Sequence, residues 1–375
     1  MAQSGPILLY GATGYTGRLV ARELRRRELS FVVAGRNAGR LHALVEELGG
    51  EVSCRVAALD DRDALRHAVG ACAAVINCAG PFTRYGEPVV KAAVETGTHY
   101  VDTTGEQLYM QRIAERYDDA ARAAEVVVVT AVGFDYVPGD LISWLTARDH
   151  EPLRELVLGY AVEGFGATRG TLHSALEVLR GESLDYHDGD WRPAGIGPLR
   201  ASFTFPGEIG RQPMIRYASG EVVTVPRHTR TRAVTSLLTA ADFAPNEALA
   251  PAVPFMMPGL ALALRTPLKA VADLAIDRLP EGPSDEARAG ARFTIVALAH
   301  GEDGRTARGV VRGSDMYGLT AVTAVHAAAL LAAEGYDRAG VLSPASAFDP
   351  VEFLDHLGGH GVTYAVDGAA ERAGV

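Results

Sequence analysis

Residues 7–17 read ILLYGATGYTG, a short apolar run followed by glycines at 11, 14 and 17. Gly11 lets the chain turn sharply off a strand, and Gly14 lets the backbone approach a pyrophosphate with no Cβ in the way. Gly17 lets the next helix pack closely on that strand, so that its first N–H groups face the phosphates. RLVARELRRREL (18–29) then sets Leu19, Val20, Leu24 and Leu29 at helical spacing. Arg22, Arg25, Arg26 and Arg27 fall on the face expected to be wet. The stretch reads as a strand, a phosphate-binding turn and a helix, with Thr13, Gly14, Tyr15 and Thr16 at the pyrophosphate.

The next strand selects the dinucleotide. FVVAGRN (31–37) is a second apolar run, and its end is where an acidic side chain would hold the ribose 2′-hydroxyl of NAD. The chain offers Arg36 there, with Arg40 one turn later and no carboxylate before Glu46. A carboxylate would repel a 2′-phosphate, whereas a guanidinium grips it with two charge-assisted hydrogen bonds. The expected cofactor is NADPH, with Asp60 near the adenine.

Strands and helices alternate through the first third. Strands are expected near 52–59, 73–80, 99–103 and 126–133, and helices near 38–48, 62–70, 86–96 and 107–123. That rhythm implies βαβ units and a parallel sheet. From about 152 it changes: ELVLGYAVE (155–163), SFTFPGEIG (202–210) and a hairpin over 292–313 turning at Glu302-Asp303-Gly304 look antiparallel, with a helix at 168–181 among them. The expected class is α/β, a Rossmann doubly wound parallel sheet with a second α+β domain carrying a mixed or antiparallel sheet. Residues 1–150, completed by 315–375, form the cofactor domain, and 151–314 form a substrate or dimerisation domain. A homodimer is left open.

A chain of 375 residues suits two domains. Its net charge of −10 argues against nucleic acid, which demands a basic surface. Cys54, Cys72 and Cys78 form no C-x-x-C pair, which suits reduced thiols and excludes a structural zinc of the usual kind, so no metal is expected. The first strand follows the N-terminus with no signal peptide, pointing to the cytoplasm. PAVPFMMPGLALALRTPLKAVADLAI (251–276) is apolar, but Arg265 and three prolines interrupt it before the roughly 20 residues a span needs. A buried or lid-forming helix is the expected reading, and an interfacial surface meeting a greasy substrate or membrane is the alternative.

Three loops rich in small and polar residues follow strands four to six: NCAGPFTRYGEP (77–88), VDTTGEQ (101–107) and VGFDYVPGDL (132–141). In a doubly wound sheet they ring the nicotinamide end of the cofactor, with Cys78, Ala79, Gly80, Pro81 and Phe82 beside the nicotinamide ribose and Gly133 opposite. GATGYTG, AGRN, NCAGPFTRYGEPVVKAAVETGTHYVDTTGE and GFDYVPGDL together resemble the saccharopine dehydrogenase-like oxidoreductases, above all the trans-acting enoyl reductase branch. GPSDEARAG (282–290), DMYGLTA (315–321) and GVLSPASAF (340–348) extend the resemblance over nearly the whole chain. It implies an NADP(H)-binding Rossmann domain with an inserted α+β domain. For this branch it implies reduction of an α,β-unsaturated acyl chain, typically carrier-bound. The chain departs from the family at Tyr136, where a Ser is usual, and at Gly139, where a Ser is frequent.

The two lysines, Lys91 and Lys269, have Glu87 and Arg265 four residues before them, so the Tyr-x-x-x-Lys donor of short-chain dehydrogenases is absent. Reduction of a conjugated C=C bond needs a proton donor near the α-carbon. Tyr136 is the leading candidate, as a phenol suited to protonating a basic enolate. Asp135 orients it or caps the following helix. Arg169 and His173, one helical turn apart, are candidates for holding a carbonyl or a phosphopantetheine phosphate, and Tyr85 is a further candidate donor. Reduction of an imine or carbonyl is the alternative within enzymes. Arg84, Arg169 and Arg192 are the arginines such an amino-acid substrate would use. A non-catalytic NADPH-binding protein is the alternative outside them.

Overall fold

The computed structural model describes residues 5–180, 183–194, 202–241, 259, 262–367 and 372–373. The chain divides into two compact units.

The first unit runs to Val137 and resumes at Tyr317–Phe348. Its strands are β1 (Ile7–Tyr10), β2 (Phe31–Gly35), β3 (Ser53–Val56), β4 (Ala74–Asn77), β5 (His99–Asp102), β6 (Val127–Val129) and β15 (Gly340–Leu342). They form one sheet in the order β15-β6-β5-β4-β1-β2-β3, every pair parallel. β1 is central, with Leu9 opposite Val33 on one side and Ile76 on the other. β1, β4, β5 and β6 are buried throughout, as a parallel sheet covered on both faces requires. Helix α1 (Tyr15–Arg26) buries Gly17, Leu19, Val20 and Leu24. Arg22 and Arg25 face water and pair with Glu47 and Glu51. The strand order reverses between β1 and β4, the switch point at which such sheets bind ligands beyond the strands' carboxyl ends.

The second unit is built on a ten-stranded sheet. Its main path is β10 (Ser202–Thr204), β11 (Arg211–Arg216), β12 (Val234–Thr239), β7 (Leu153–Glu163), β13 (Arg292–Gly301), β14 (Thr306–Ser314), β16 (Thr363–Val366) and β17 (Arg372–Ala373). The hairpin β8 (Leu184–His187) and β9 (Asp190–Pro193) joins through β12. The β7–β12 pair is parallel and the other pairs antiparallel, so the sheet is mixed. Val157, Phe203, Phe205, Met214, Leu237 and Val296 form a core on it.

Both domain limits read from the sequence shift. The helix α7 (Val137–Ala147) groups from Pro138 onward with the second unit, burying Leu141, Ile142 and Leu145. The chain from Asp349 also leaves the first unit: β16 adds to β14 with Tyr364 opposite Val311, and the helix Pro350–Gly358 buries Phe353, Leu354 and Leu357. Without that strand β14 would present an unpaired edge. SFTFPGEIG is not one strand, because β10 ends at Thr204 and Gly207–Ile209 forms a 3₁₀ turn. Of the apolar stretch 251–276, residues 251–258, 260 and 261 lie outside the described residues. No described helix is long and apolar enough to cross a membrane.

Candidate functional site

The turn after β1 is built as its glycines require. Gly11 has φ 76°, and a Cβ there would lie 2.7 Å from the Ala79 amide nitrogen. A Cβ at Gly17 would run into the Gly11 carbonyl oxygen, so that helix and turn meet only because both positions are glycine. Gly14 is exposed at the N-cap of α1, no side chain caps the helix, and its first turn carries no acid. The N–H groups of that turn and the helix dipole are thus available to an anion. Tyr15 stands edge-on to Tyr317, 5.4 Å between ring centres, and Thr13 and Thr16 are half-buried.

At the end of β2, Arg36 and Arg40 are exposed. Asn37 caps helix Ala38–Glu47 by accepting from the Arg40 amide, 3.0 Å. The Tyr10 phenol donates to the Ala57 carbonyl at 2.9 Å, and burial pushes its pKa up to about 12, with Arg36 lowering and Asp60 raising it. Arg36 and Asp60 therefore share one neighbourhood at the ends of β1 to β3, and Asp60 is exposed there.

The three loops after β4, β5 and β6 are tied together by two carboxyl groups. Asp102 is fully buried at the end of β5. Its Oδ1 accepts from the amides of Thr104 (3.1 Å) and Ala131 (2.9 Å), and its Oδ2 from the phenols of Tyr100 (2.9 Å) and Tyr109 (3.0 Å). Asn77 extends the network by donating to the Tyr100 oxygen at 3.0 Å. Burial outweighs these four hydrogen bonds and raises the Asp102 pKa to about 6. Glu106 works outward: it accepts from the amides of Phe82 (2.8 Å) and Thr83 (2.7 Å) and from the Thr83 hydroxyl, holding the first turn of the short helix α4 (Phe82–Tyr85). The β6 loop is fixed by Thr320, whose hydroxyl accepts from the Phe134 amide at 3.0 Å.

Residues 7–129 match the family model described as the saccharopine dehydrogenase NADP binding domain. This part of the chain is similar to the saccharopine dehydrogenase NADP-binding domain. Its cofactor is NADPH. A lipid droplet localized protein of Caenorhabditis elegans is 34% identical over 197 residues, covering 48% of this chain and 46% of that protein. A human saccharopine dehydrogenase-like oxidoreductase is 29% identical over 209 residues, covering 51% and 45%. A Mycobacterium tuberculosis protein provisionally named a trans-acting enoyl reductase is 34% identical over 189 residues, covering 48% and 45%. The matches span about half the length of the curated relatives. Among solved structures, apo saccharopine dehydrogenase (L-Glu forming) of Saccharomyces cerevisiae superposes with a TM-score of 0.62 at 15% identity, covering 96% of this chain and all of that one, which shows a shared fold.

Within the NADP-binding domain the residues read from the sequence divide by access. Gly11, Thr13, Gly14, Tyr15, Thr16, Gly17, Cys78, Ala79, Gly80 and Pro81 line the ends of β1 and β4. Phe82 is buried against Tyr109, 5.8 Å between ring centres, so it supports the loop from behind and is not an open aromatic wall. Cys78 is desolvated, which pushes its thiol up to about 12 and leaves it a poor nucleophile. Tyr136 is 2% exposed and its phenol donates to the Gly105 carbonyl at 2.9 Å, tying the β6 loop to the β5 loop. Asp135 beside it is half-buried, and desolvation raises its carboxyl to about 6. Tyr85 is exposed on α4.

In the second unit Arg169 and His173 are engaged with carboxylates. Arg169 pairs with Glu281 at 3.1 Å, and His173 lies 3.0 Å from both Asp273 and Asp277. Sequence reasoning missed the acidic pair there. Asp140 on α7, fully buried, meets His228 Nε2 at 3.0 Å and the Thr224 hydroxyl at 2.5 Å. Glu221, also fully buried, is hydrogen-bonded by Tyr160 and lifted by burial to about 8. A Cβ at residue 139 would run into both the Glu221 carboxyl and the Tyr160 phenol. Gly139 and this acid–phenol pair therefore depend on each other, which accounts for glycine at that position. No group of His, Cys, Asp and Glu able to hold a metal occurs among the described residues.

Proposed function

We propose that this protein is an NADPH-dependent oxidoreductase that reduces a conjugated C=C bond of an enoyl-type acyl chain in a polyketide, lipid or other secondary metabolite. The reading is supported by the cofactor domain, by the partial likeness to the M. tuberculosis protein, and by the state of the candidate substrate-holding groups. An imine of saccharopine type presents amino-acid carboxylates and calls for arginines to bind them. Of the three arginines named for that role, Arg169 is paired with Glu281 and Arg192 with Asp188, and Arg84 lies exposed on α4. The observation that carries the proposal is the carboxyl of Asp135, largely buried on the loop after β6 and raised by desolvation to about 6.

The chain's own residues fit NADPH. The open α1 terminus with Gly11, Gly14 and Gly17 would take the pyrophosphate, Arg36 with Arg40 the 2′-phosphate, and Cys78 to Phe82 with Gly133 the nicotinamide end. When bound, NADPH supplies a hydride. Asp135 then holds the proton that a reduced conjugated system requires, and Tyr136 positions it through the bond to Gly105. Fixed donors aimed at the substrate carbonyl would stabilise its developing charge, each worth roughly 10²–10³-fold in rate.

The experiment is NADPH consumption with a panel of enoyl thioesters, free and carrier-bound, against keto acids with amines. Turnover of the thioesters alone is the expected result. Turnover with keto acid and amine alone assigns saccharopine-type chemistry. Turnover with neither, in a protein that binds NADPH, assigns a non-catalytic role.

A further inference from the structure

The helix Leu268–Ile276 has two unlike faces. Toward helix α8 (Arg169–Arg180) it buries Lys269 and Ile276. Lys269 reaches Glu177 at 3.2 Å and Asp273 at 2.7 Å, and Asp273 also meets His173 at 3.0 Å. This half-buried ion cluster fixes the helix about its own axis. The other face carries Leu268, Val271 and Leu274, which are 50%, 62% and 54% exposed. Leu262 before the helix is 67% exposed, and Leu279 after it 48%. Half of the ten strongly exposed large apolar side chains among the described residues thus fall within 18 positions.

We propose that this aliphatic face docks on a phospholipid surface, with the helix lying in the plane of the headgroups. Three observations favour lipid over a second copy of the chain. Even counted together the five side chains expose on the order of 500 Å², short of the ~800 Å² per partner that a stable dimer buries. The centre of the face is purely aliphatic, Leu268, Val271 and Leu274, with no aromatic side chain of the kind that protein interfaces concentrate at their centres. Arg265 and Arg278 stand exposed at its two ends, placed to meet lipid phosphates while the aliphatic groups between them enter the acyl boundary. Of the nearby acids, Asp273 is turned toward His173 and Lys269, and Asp277 meets His173 while staying largely exposed beyond the end of the helix. The helix is nine residues long and lies on the surface without crossing it.

The test is co-flotation of the full chain with vesicles of phosphatidylcholine and phosphatidylglycerol. The wild type is expected in the vesicle fraction. The triple variant Leu268→Ser, Val271→Ser, Leu274→Ser should float at least about tenfold less, since the insertion loses its aliphatic groups. Its fold should be retained by circular dichroism, with a melting temperature lowered by no more than a few degrees, because each of the three side chains is at least half exposed. Arg265→Ala with Arg278→Ala should lower binding roughly fivefold per cation. A wild type that stays at the bottom of the gradient, or a triple variant that floats as well as wild type, overturns the proposal. A wild-type dimer that the triple variant converts to monomer assigns the face to a second copy and overturns it equally.

Discussion

Asp135 and Tyr136 are adjacent, and we propose that they exchange the roles that their side-chain chemistry alone suggests. A phenol with its proton committed to the Gly105 carbonyl is a tether, while a desolvated carboxyl near pH 6 has a proton to give and regains it readily in water. If Asp135 is the donor, the active form is the protonated one. Its population falls as pH rises through about 6, so the rate of the reduction step should fall tenfold per unit on the alkaline side. Asp135→Asn should lower kcat by about 10²–10⁴-fold and remove that limb of the profile, with NADPH affinity unchanged. Tyr136→Phe should cost about 1 kcal/mol of stability and much less of kcat. A variant Asp135→Asn within about threefold of wild-type kcat would return the proton to water or another side chain.

At the scale of elements, the parallel half of the fold was legible and its bracing was not. ILLYGATGYTG announces a strand, a turn and a helix through steric demands that no other residues meet, and the alternation that follows shows six of the seven strands. The seventh, Gly340–Leu342, is three residues long and gains its identity only by lying beside β6. β16 was missed for the same reason: its pairing with β14 is a long-range choice that no local pattern announces. The site divides likewise. Glycines and Arg36 carry their purpose in their spacing, whereas Asp102 and Glu106 sit in VDTTGEQ as ordinary turn residues until the fold brings amides from two other loops to them. Glu106 tests this bracing. Glu106→Ala leaves two α4 amides without their acceptor, so stability should fall by roughly 2–4 kcal/mol in urea denaturation. NADPH affinity should weaken because Cys78 to Phe82 lose their support, and Glu106→Gln, which keeps one acceptor oxygen, should lie between. Unchanged stability and affinity in Glu106→Ala would show that the loop after β4 stands without it.

For the molecule as a whole, the buried acids predict a stability that declines as solution becomes alkaline. Asp102 and Asp135 are raised to about 6 and Glu221 to about 8, all above their unfolded values near 4. Between the unfolded and folded values the native state binds more protons than the unfolded chain, so each group loses stability as pH rises through that window. His99 works the other way: burial lowers its pKa, so the unfolded chain binds the extra proton and stability grows as pH rises toward 6.5. The two effects oppose each other below about pH 6.5 and blur the acid side. From there to about pH 8 Glu221 dominates, for Asp102 and Asp135 have largely ionised and His99 is neutral in both states, while the raised thiols of Cys72 and Cys78 enter only above that. Ionisation of Glu221 would place a second charge beside Asp140, with Tyr160 as the hydrogen-bond donor at hand. Unfolding in urea measured from pH 6.5 to 9 should therefore show wild-type stability falling throughout, with Glu221 setting the slope up to about pH 8 and the desolvated thiols of Cys72 and Cys78 taking over above it. Glu221→Gln keeps the shape and the contact with Tyr160 but has no proton to lose. It should already exceed the wild type at pH 6.5, by a margin that widens until about pH 8. Parallel curves for the two proteins across that range would mean that Glu221 is not the group whose burial sets the slope.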